Sequence, residues 1–254
     1  MDIIALLNEK GGVGKTTTTG NLGYALASLG KKVLLIDLDK QANLTTFCGM
    51  KAGKDFPVDK TINEVLLGKV TAKEAIYAKG KNLWLIPGSK ELAETEYAIF
   101  LKMGRELILK KMMEGETKYD YVLIDCPPSL GLLTINALCY ASEVFIIMQP
   151  EPASLEGMAQ LLNTYSKVKE NMNESLEVTG VVCSMVENKV IHREVIEHLR
   201  SNLGARVFKT VVPRRVVYTE ASGQGKLIGE YRPASEEAQI VATLAAEVTK
   251  RKKK

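Results

Sequence analysis

Short runs of consecutive apolar residues recur along the chain, separated by longer stretches in which apolar positions return every third or fourth residue. The runs are IIALLN from Ile3, KVLLIDLD from Lys32, LWLIPG from Leu83, YVLIDCPP from Tyr121, VFIIMQP from Val144, VTGVVCSM from Val178 and VFKTVVP from Val207. Such short, nearly unbroken apolar runs predict strands buried on both faces, as in a parallel sheet covered by helices. The intervening stretches predict helices over 16–29, 92–113, 132–141, 155–171, 193–202 and 235–250. Strand alternating with helix from end to end predicts a doubly wound α/β fold, its mostly parallel sheet flanked by helices. Neither a low-complexity linker nor an internal repeat divides the 254 residues, so 1–254 reads as a single domain with a basic tail at 250–254. The segment CGMKAGKDFPVDK, 48–60, reads as an exposed loop.

Composition excludes several classes. Hydrophobic residues make up 46% and charged residues 25%, as in an ordinary soluble domain. No apolar run approaches the roughly 20 residues needed to cross a bilayer. The N-terminus lacks a basic segment and a small-residue cleavage site, so a cytoplasmic location is expected. Cys48, Cys126, Cys139 and Cys183 are scattered without CxxC spacing, which argues for reduced thiols over zinc or disulfides. Net charge is only +4, but cations gather in the tail KRKKK and along 189–215, where Arg193, Arg200, Arg206, Lys209 and Arg214 meet few acids.

The chemistry is concentrated at strand ends. In NEKGGVGKTTT, from Asn8, the strict spacing G-x-x-x-x-G-K-[ST] fails because Glu9 stands where the first glycine belongs. The context survives: a strand, a turn holding Gly11, Gly12, Val13 and Gly14, then Lys15, Thr16 and Thr17 opening a helix. Glycines let backbone N–H groups turn toward phosphate oxygens, the helix start adds its positive dipole end, Lys15 neutralises phosphate charge and Thr16 can hold Mg²⁺. Asp125 ends YVLID, where a Walker B aspartate reaches Mg²⁺, and CPPSLG after it can answer to the γ-phosphate. Asp37 and Asp39 end VLLIDLD on the same sheet edge, and strand alternation points them the same way. Two lysines, Lys10 and Lys15, stand where one suffices.

KGGVGKTT, with VLLIDLDKQAN, YDYVLIDCPPSLGLLTINAL, QPEPASLEGM and VFKTVVPRR, resembles the ParA/Soj group of the ParA–MinD deviant Walker A ATPases over residues 3–248. The resemblance implies an ATP- and Mg²⁺-dependent ATPase, weak alone and stimulated by a ParB-like partner. It implies a homodimer formed on ATP binding, in which Lys10 reaches the partner's nucleotide as an arginine finger does. Asp39 then orients the attacking water and joins Thr16 and Asp125 around the metal. Met185, Pro213 and Arg214 are expected near the adenine. Lys189, Arg193 and Arg215 are the candidates for nonspecific DNA contact, which would place the ATP-bound protein on the nucleoid. Departures from the family pattern are Glu9 for glutamine, Lys40 for proline, Ala42 for glycine, Lys189 for arginine and Val217 for arginine.

Other roles lose on missing residues. An iron–sulfur carrier would need a cysteine companion for Cys126, and a guanine reader would need aspartate where Ile191 stands in NKVI. A MinD-like membrane-cycling ATPase is the alternative. Its terminal amphipathic helix has no counterpart here, because Ile240, Leu244 and Val248 form a stripe suited to packing on the sheet and no large apolar residue follows Lys250. No membrane partner is therefore expected. The chain begins at its first strand, so operator binding by an N-terminal helix-turn-helix is not expected. Helix 92–113 is expected to serve core and dimer contact.

Overall fold

The computed structural model describes residues 1–251. Seven strands form one sheet: β1 (Asp2–Leu7), β2 (Val33–Asp37), β3 (Tyr77–Gly80), β4 (Leu83–Ile86), β5 (Tyr121–Asp125), β6 (Glu143–Met148) and β7 (Glu177–Cys183). Their order is β3-β4-β2-β5-β1-β6-β7, and every neighbouring pair except β3 with β4 is parallel. The helices are α1 (Lys15–Ser28), α2 (Asn43–Phe47), α3 (Ile62–Leu67), α4 (Leu92–Phe100), α5 (Ile108–Met112), α6 (Leu132–Tyr140), α7 (Pro152–Asn171), α8 (Val190–Leu203), α9 (Val216–Gly223), α10 (Ile228–Tyr231) and α11 (Glu236–Arg251). The doubly wound expectation holds.

Strand alternation divides the core in two. Ala5, Leu7, Leu34, Ile36 and Ile124 face one cluster, while Ile4, Leu6, Leu35 and Leu123 face the other with Leu22 and Leu26 of α1 and Leu244 and Val248 of α11. Leu244 and Val248 of the C-terminal stripe therefore pack against the fold, while Ile240 stays outside both clusters and Val241 packs in its stead. Among the described residues no helix is long and apolar enough to cross a membrane. The basic tail beyond Arg251 lies outside the described residues.

Three sequence expectations change. Helix 92–113 divides into α4, a 3₁₀ turn at Arg105–Leu107 and α5, because Gly104 adopts φ 66° and ends the right-handed path. Ile99, Ile108 and Leu109 still reach the core. VFKTVVP is not a sheet strand: it touches β7 through an isolated bridge, Val181 to Val207, and then pairs Val186 with Pro213. Segment 48–60 is less exposed than its polarity suggests, since Cys48, Met50 and Phe56 are buried.

Candidate nucleotide-binding site

β1 delivers the glycine-rich turn to the carboxyl edge of the sheet, beside the β1–β6 crossover where the strand order reverses. Asn8 shapes the turn: its Nδ2 donates to the Ile147 carbonyl at 2.6 Å, and its Oδ1 accepts the Lys10 N–H at 2.8 Å. Gly12 and Gly14 have φ of 75° and 84°, a conformation in which a side chain is strained. Gly14 starts α1 without any side-chain cap, and no acidic residue lies in the first turn. The first N–H groups and the positive end of a 14-residue helix are thus left for an anion to meet. Lys15 is buried there, whereas Gly11 and Gly12 are exposed. Ser184, at the end of β7, donates its hydroxyl to the Val13 carbonyl and fastens the turn from the other side.

Two carboxylates lie beneath this turn. Asp37 and Asp125 are register partners on β2 and β5, and both are fully buried. Asp125 Oδ1 accepts from Thr19 Oγ1 at 3.3 Å, while Oδ2 is buried without a hydrogen-bond partner. Burial first, then the charge of Asp37, pushes the Asp125 carboxyl up to about 7; the Thr16 hydroxyl and Lys15 pull the other way. Asp37 is pushed up to about 6 by burial, against the pull of hydrogen bonds from Thr45 N at 2.8 Å and Thr45 Oγ1 at 2.7 Å. The orphaned Asp125 oxygen beside Thr16 fits a divalent cation, whose charge would offset the burial of the carboxylate. Among the described residues no group of three His, Cys, Asp or Glu gathers around it, so hydroxyl, water and phosphate oxygens must complete the shell.

Asp37 and Asp39 are both buried, but only Asp37 belongs to the strand. β2 ends at Asp37, whose carboxylate anchors Thr45 of α2. Asp39 lies past the strand, where its Oδ1 accepts the Gln41 N–H at 3.0 Å. Alternation holds only while the backbone stays extended. The turn closes at Ala42, which occupies φ 49°, ψ 35° in place of the expected glycine.

Beside the start of α1 lies a cavity of about 530 Å³. Met185, Pro213 and Arg214 line it together with Gly14 and Thr17. Phe47, Thr18, Ser184 and Tyr218 also line it and were not found by sequence reasoning. The bridge between Val186 and Pro213 is what brings these loops together. Nothing local marks such a contact.

Lys10 behaves unlike Lys15. Its Nζ lies 2.8 Å from Glu151 Oε2, and the side chain remains 51% exposed. Glu151 precedes α7 and is 141 residues away in sequence, so no spacing rule could have paired them. The lysine bond holds the Glu151 carboxyl below its ordinary range.

Of the DNA candidates, Lys189 and Arg215 immediately precede α8 and α9, and Arg193 lies on α8. Lys189 and Arg214 share Glu187, the latter at 3.0 Å, and Arg215 Nε lies 3.6 Å from Glu237. Arg193 is exposed on α8. The His192 ring is buried and its Nδ1 accepts the Glu187 N–H at 3.0 Å, fixing the loop that carries these charges.

A family model described as AAA domain matches residues 1–178. The sporulation initiation inhibitor protein Soj of Bacillus subtilis is 42% identical over 249 residues, covering 97% of each chain. The chain belongs to the ParA/Soj family. The chromosome-partitioning ATPase Soj of Treponema pallidum is 38% identical, covering 98% of this chain and 97% of its own. Among solved structures, cobyrinic acid a,c-diamide synthase from Mycobacterium smegmatis, with a bound ATP analog and magnesium, superposes with TM-score 0.83 at 32% identity. That match covers 100% of this chain and 96% of the other.

Proposed function

We propose that this chain is a MgATP-dependent partition ATPase. In this reading it pairs with a second copy across ATP, holds DNA without sequence preference and is driven through its cycle by a ParB-like partner, as a cytoplasmic protein that gathers on the nucleoid. One observation carries the reading: of two lysines on one phosphate loop, Lys15 is buried in the site while Lys10 is held outward by Glu151, available to another molecule.

The chain's own residues take the following parts. Backbone N–H groups at 11–17 and Lys15 bind and orient the triphosphate; Met185, Pro213 and Arg214 enclose the base. Thr16 and Asp125 would hold Mg²⁺, with Asp39 nearby through water, and the ion supplies charge neutralisation at the phosphates. Asp39 orients the attacking water. Lys10 from the second copy neutralises the outer phosphate, which couples assembly to nucleotide state. DNA contact falls to Lys189, Arg193 and Arg215, through phosphate charge alone.

Lys10→Ala tests the reading. ATP binding persists, but ATP-dependent dimers and partner-stimulated hydrolysis disappear; a variant that still dimerises on ATP defeats the trans role. Membrane cycling is tested alongside, by comparing ATP-dependent retention on DNA with retention on anionic liposomes.

A further inference from the structure

Asp39 sits in a short loop that hangs from the side chain of Asp37. Leaving β2, Leu38 is buried and its N–H donates to the Asp125 carbonyl at 3.0 Å. The chain then turns on itself: the Asp39 carbonyl accepts the Ala42 N–H at 2.8 Å, and the Asp39 carboxylate accepts the Gln41 N–H at 3.0 Å. The Ala42 carbonyl accepts both the N–H and the hydroxyl of Thr46, each at 3.1 Å, so the turn is carried by α2. A helix of five residues has too few internal hydrogen bonds to hold its own place. Asp37 supplies the hold, its Oδ2 accepting the Thr45 N–H at 2.8 Å and the Thr45 hydroxyl at 2.7 Å. Its other oxygen, Oδ1, accepts the Asp39 N–H at 3.4 Å. One buried carboxylate thus grips both ends of the loop that bears Asp39.

A third segment meets the same pair. Thr45 Oγ1 gives its proton to Asp37 and accepts the Gly88 N–H at 2.9 Å. A Cβ on Gly88 would stand 2.9 Å from Asp37 Cγ, so the turn after β4 lies directly on the carboxylate. Beyond the far end of α2, Gly49 crosses Gly225 so closely that a Cβ on Gly49 would stand 2.2 Å from the Gly225 carbonyl oxygen. α2 is therefore fastened on both sides, and the fastening nearest Asp39 is the Asp37–Thr45 pair.

We propose that Asp37 and Thr45 are positioning residues for the attack on ATP: their hydrogen bonds set the place of Asp39, which orients the water. The inference rests on the ATPase reading above and names what aims its water-orienting residue. Misplacing a reacting group by about 1 Å costs on the order of a hundredfold in rate, so a loosened loop slows the chemical step more than it weakens nucleotide binding.

The test removes the Thr45 hydroxyl from the full-length protein. Thr45→Val keeps the branched shape; Thr45→Ala avoids setting a methyl group against the carboxylate; Thr45→Ser retains the hydroxyl. Single-turnover hydrolysis of MgATP is compared with calorimetric affinity for a nonhydrolysable ATP analogue and with amide exchange over 38–47 in the nucleotide-free protein. In Thr45→Val and Thr45→Ala exchange accelerates and hydrolysis slows by roughly tenfold or more while affinity stays within about twofold, and Thr45→Ser remains within about threefold of wild type on every count. Unchanged hydrolysis or unchanged exchange in Thr45→Ala overturns the proposal. A parallel loss of affinity and hydrolysis does so too, since it marks a general structural role, as does a Thr45→Ser variant as slow as Thr45→Ala. Should Thr45→Val fail to fold, Thr45→Ala decides. If wild type itself hydrolyses no ATP, the ATPase reading fails, and the hold on Asp39 is judged by exchange alone: faster exchange in Thr45→Ala sustains it and unchanged exchange refutes it.

Discussion

Asp37 and Asp125 face each other across β2 and β5 with no solvent contact, and only Asp37 has its hydrogen-bonding needs met by the protein. Burial pushes both carboxyls up, to about 6 and about 7, and the charge of Asp37 adds to the rise at Asp125. Because both folded-state values exceed the ordinary 3.8, the folded chain retains protons that the unfolded chain releases. The stability tied to those protons is complete below about pH 4 and is lost as pH rises through about 6 to 7. The nucleotide-free protein should therefore melt earlier at about pH 8 than at about pH 5, and Asp125→Asn should recover roughly 1.4 kcal/mol per pKa unit removed. Thermal melts of both proteins across that range check this, and an unchanged pH slope in the variant contradicts it.

Glu151 competes with the proposed partner site for Lys10. The pair is half-exposed, so its strength is at most about 1 kcal/mol. Glu151→Gln is expected to leave the melting temperature in place and to shift ATP-dependent dimerisation to lower protein concentration, by no more than roughly fivefold. Sedimentation at several concentrations measures this. Weaker dimers would mean that Glu151 serves the assembled state instead.

Ala42 stores strain beside Asp39. A left-handed alanine costs on the order of 1 kcal/mol relative to glycine, partly offset by glycine's larger unfolded-state freedom. Ala42→Gly is expected to raise stability by a few tenths of a kcal/mol to about 1 kcal/mol, read from the denaturant midpoint. A loss of stability would show that the turn relaxes in solution away from φ 49°.

Ser184 is the tie between β7 and the phosphate loop. Ser184→Ala leaves the Val13 carbonyl without that donor, at a cost of about 1–3 kcal/mol. Nucleotide affinity should fall with it, because the turn loses its fixed shape. Calorimetric titration with an ATP analogue distinguishes this from a stability effect alone.

Glu187 holds down two cations, Lys189 and Arg214. Glu187→Gln is expected to strengthen ATP-dependent DNA retention and to steepen its salt dependence by about one to two ion equivalents. Retention over a salt series reads both, and an unchanged slope removes this face from the DNA surface.

Much of the architecture can be read from the one-dimensional pattern, because buried parallel strands need unbroken apolar runs. Six of the seven named runs became strands of the sheet. The seventh, from Val207, is equally apolar but meets β7 at a single bridge, and apolarity cannot tell a strand from a buried segment lying beside one. β3 was missed since YAKG alternates exposed and half-buried positions and carries Lys79. Gly104 broke a helix whose spacing otherwise continued through Ile108 and Leu109. At the site, Lys15, Thr16 and Asp125 follow from local context. Ser184 and Glu151 do not, because each acts on a residue far away in sequence and nothing near them announces it.

The two borders of the sheet repay a last look. β3 is four residues long, irregular at Ala78 and Gly80, and its Lys79 is clamped to Glu230 at 2.8 Å. On the opposite border the segment that failed to become a strand lies against β7, where the Phe208 N–H donates to the Val181 carbonyl at 2.9 Å. Both margins are thus spoken for, so neither offers a foreign chain an open ladder to extend. Crowding the protein at high concentration should therefore not seed amyloid-like growth.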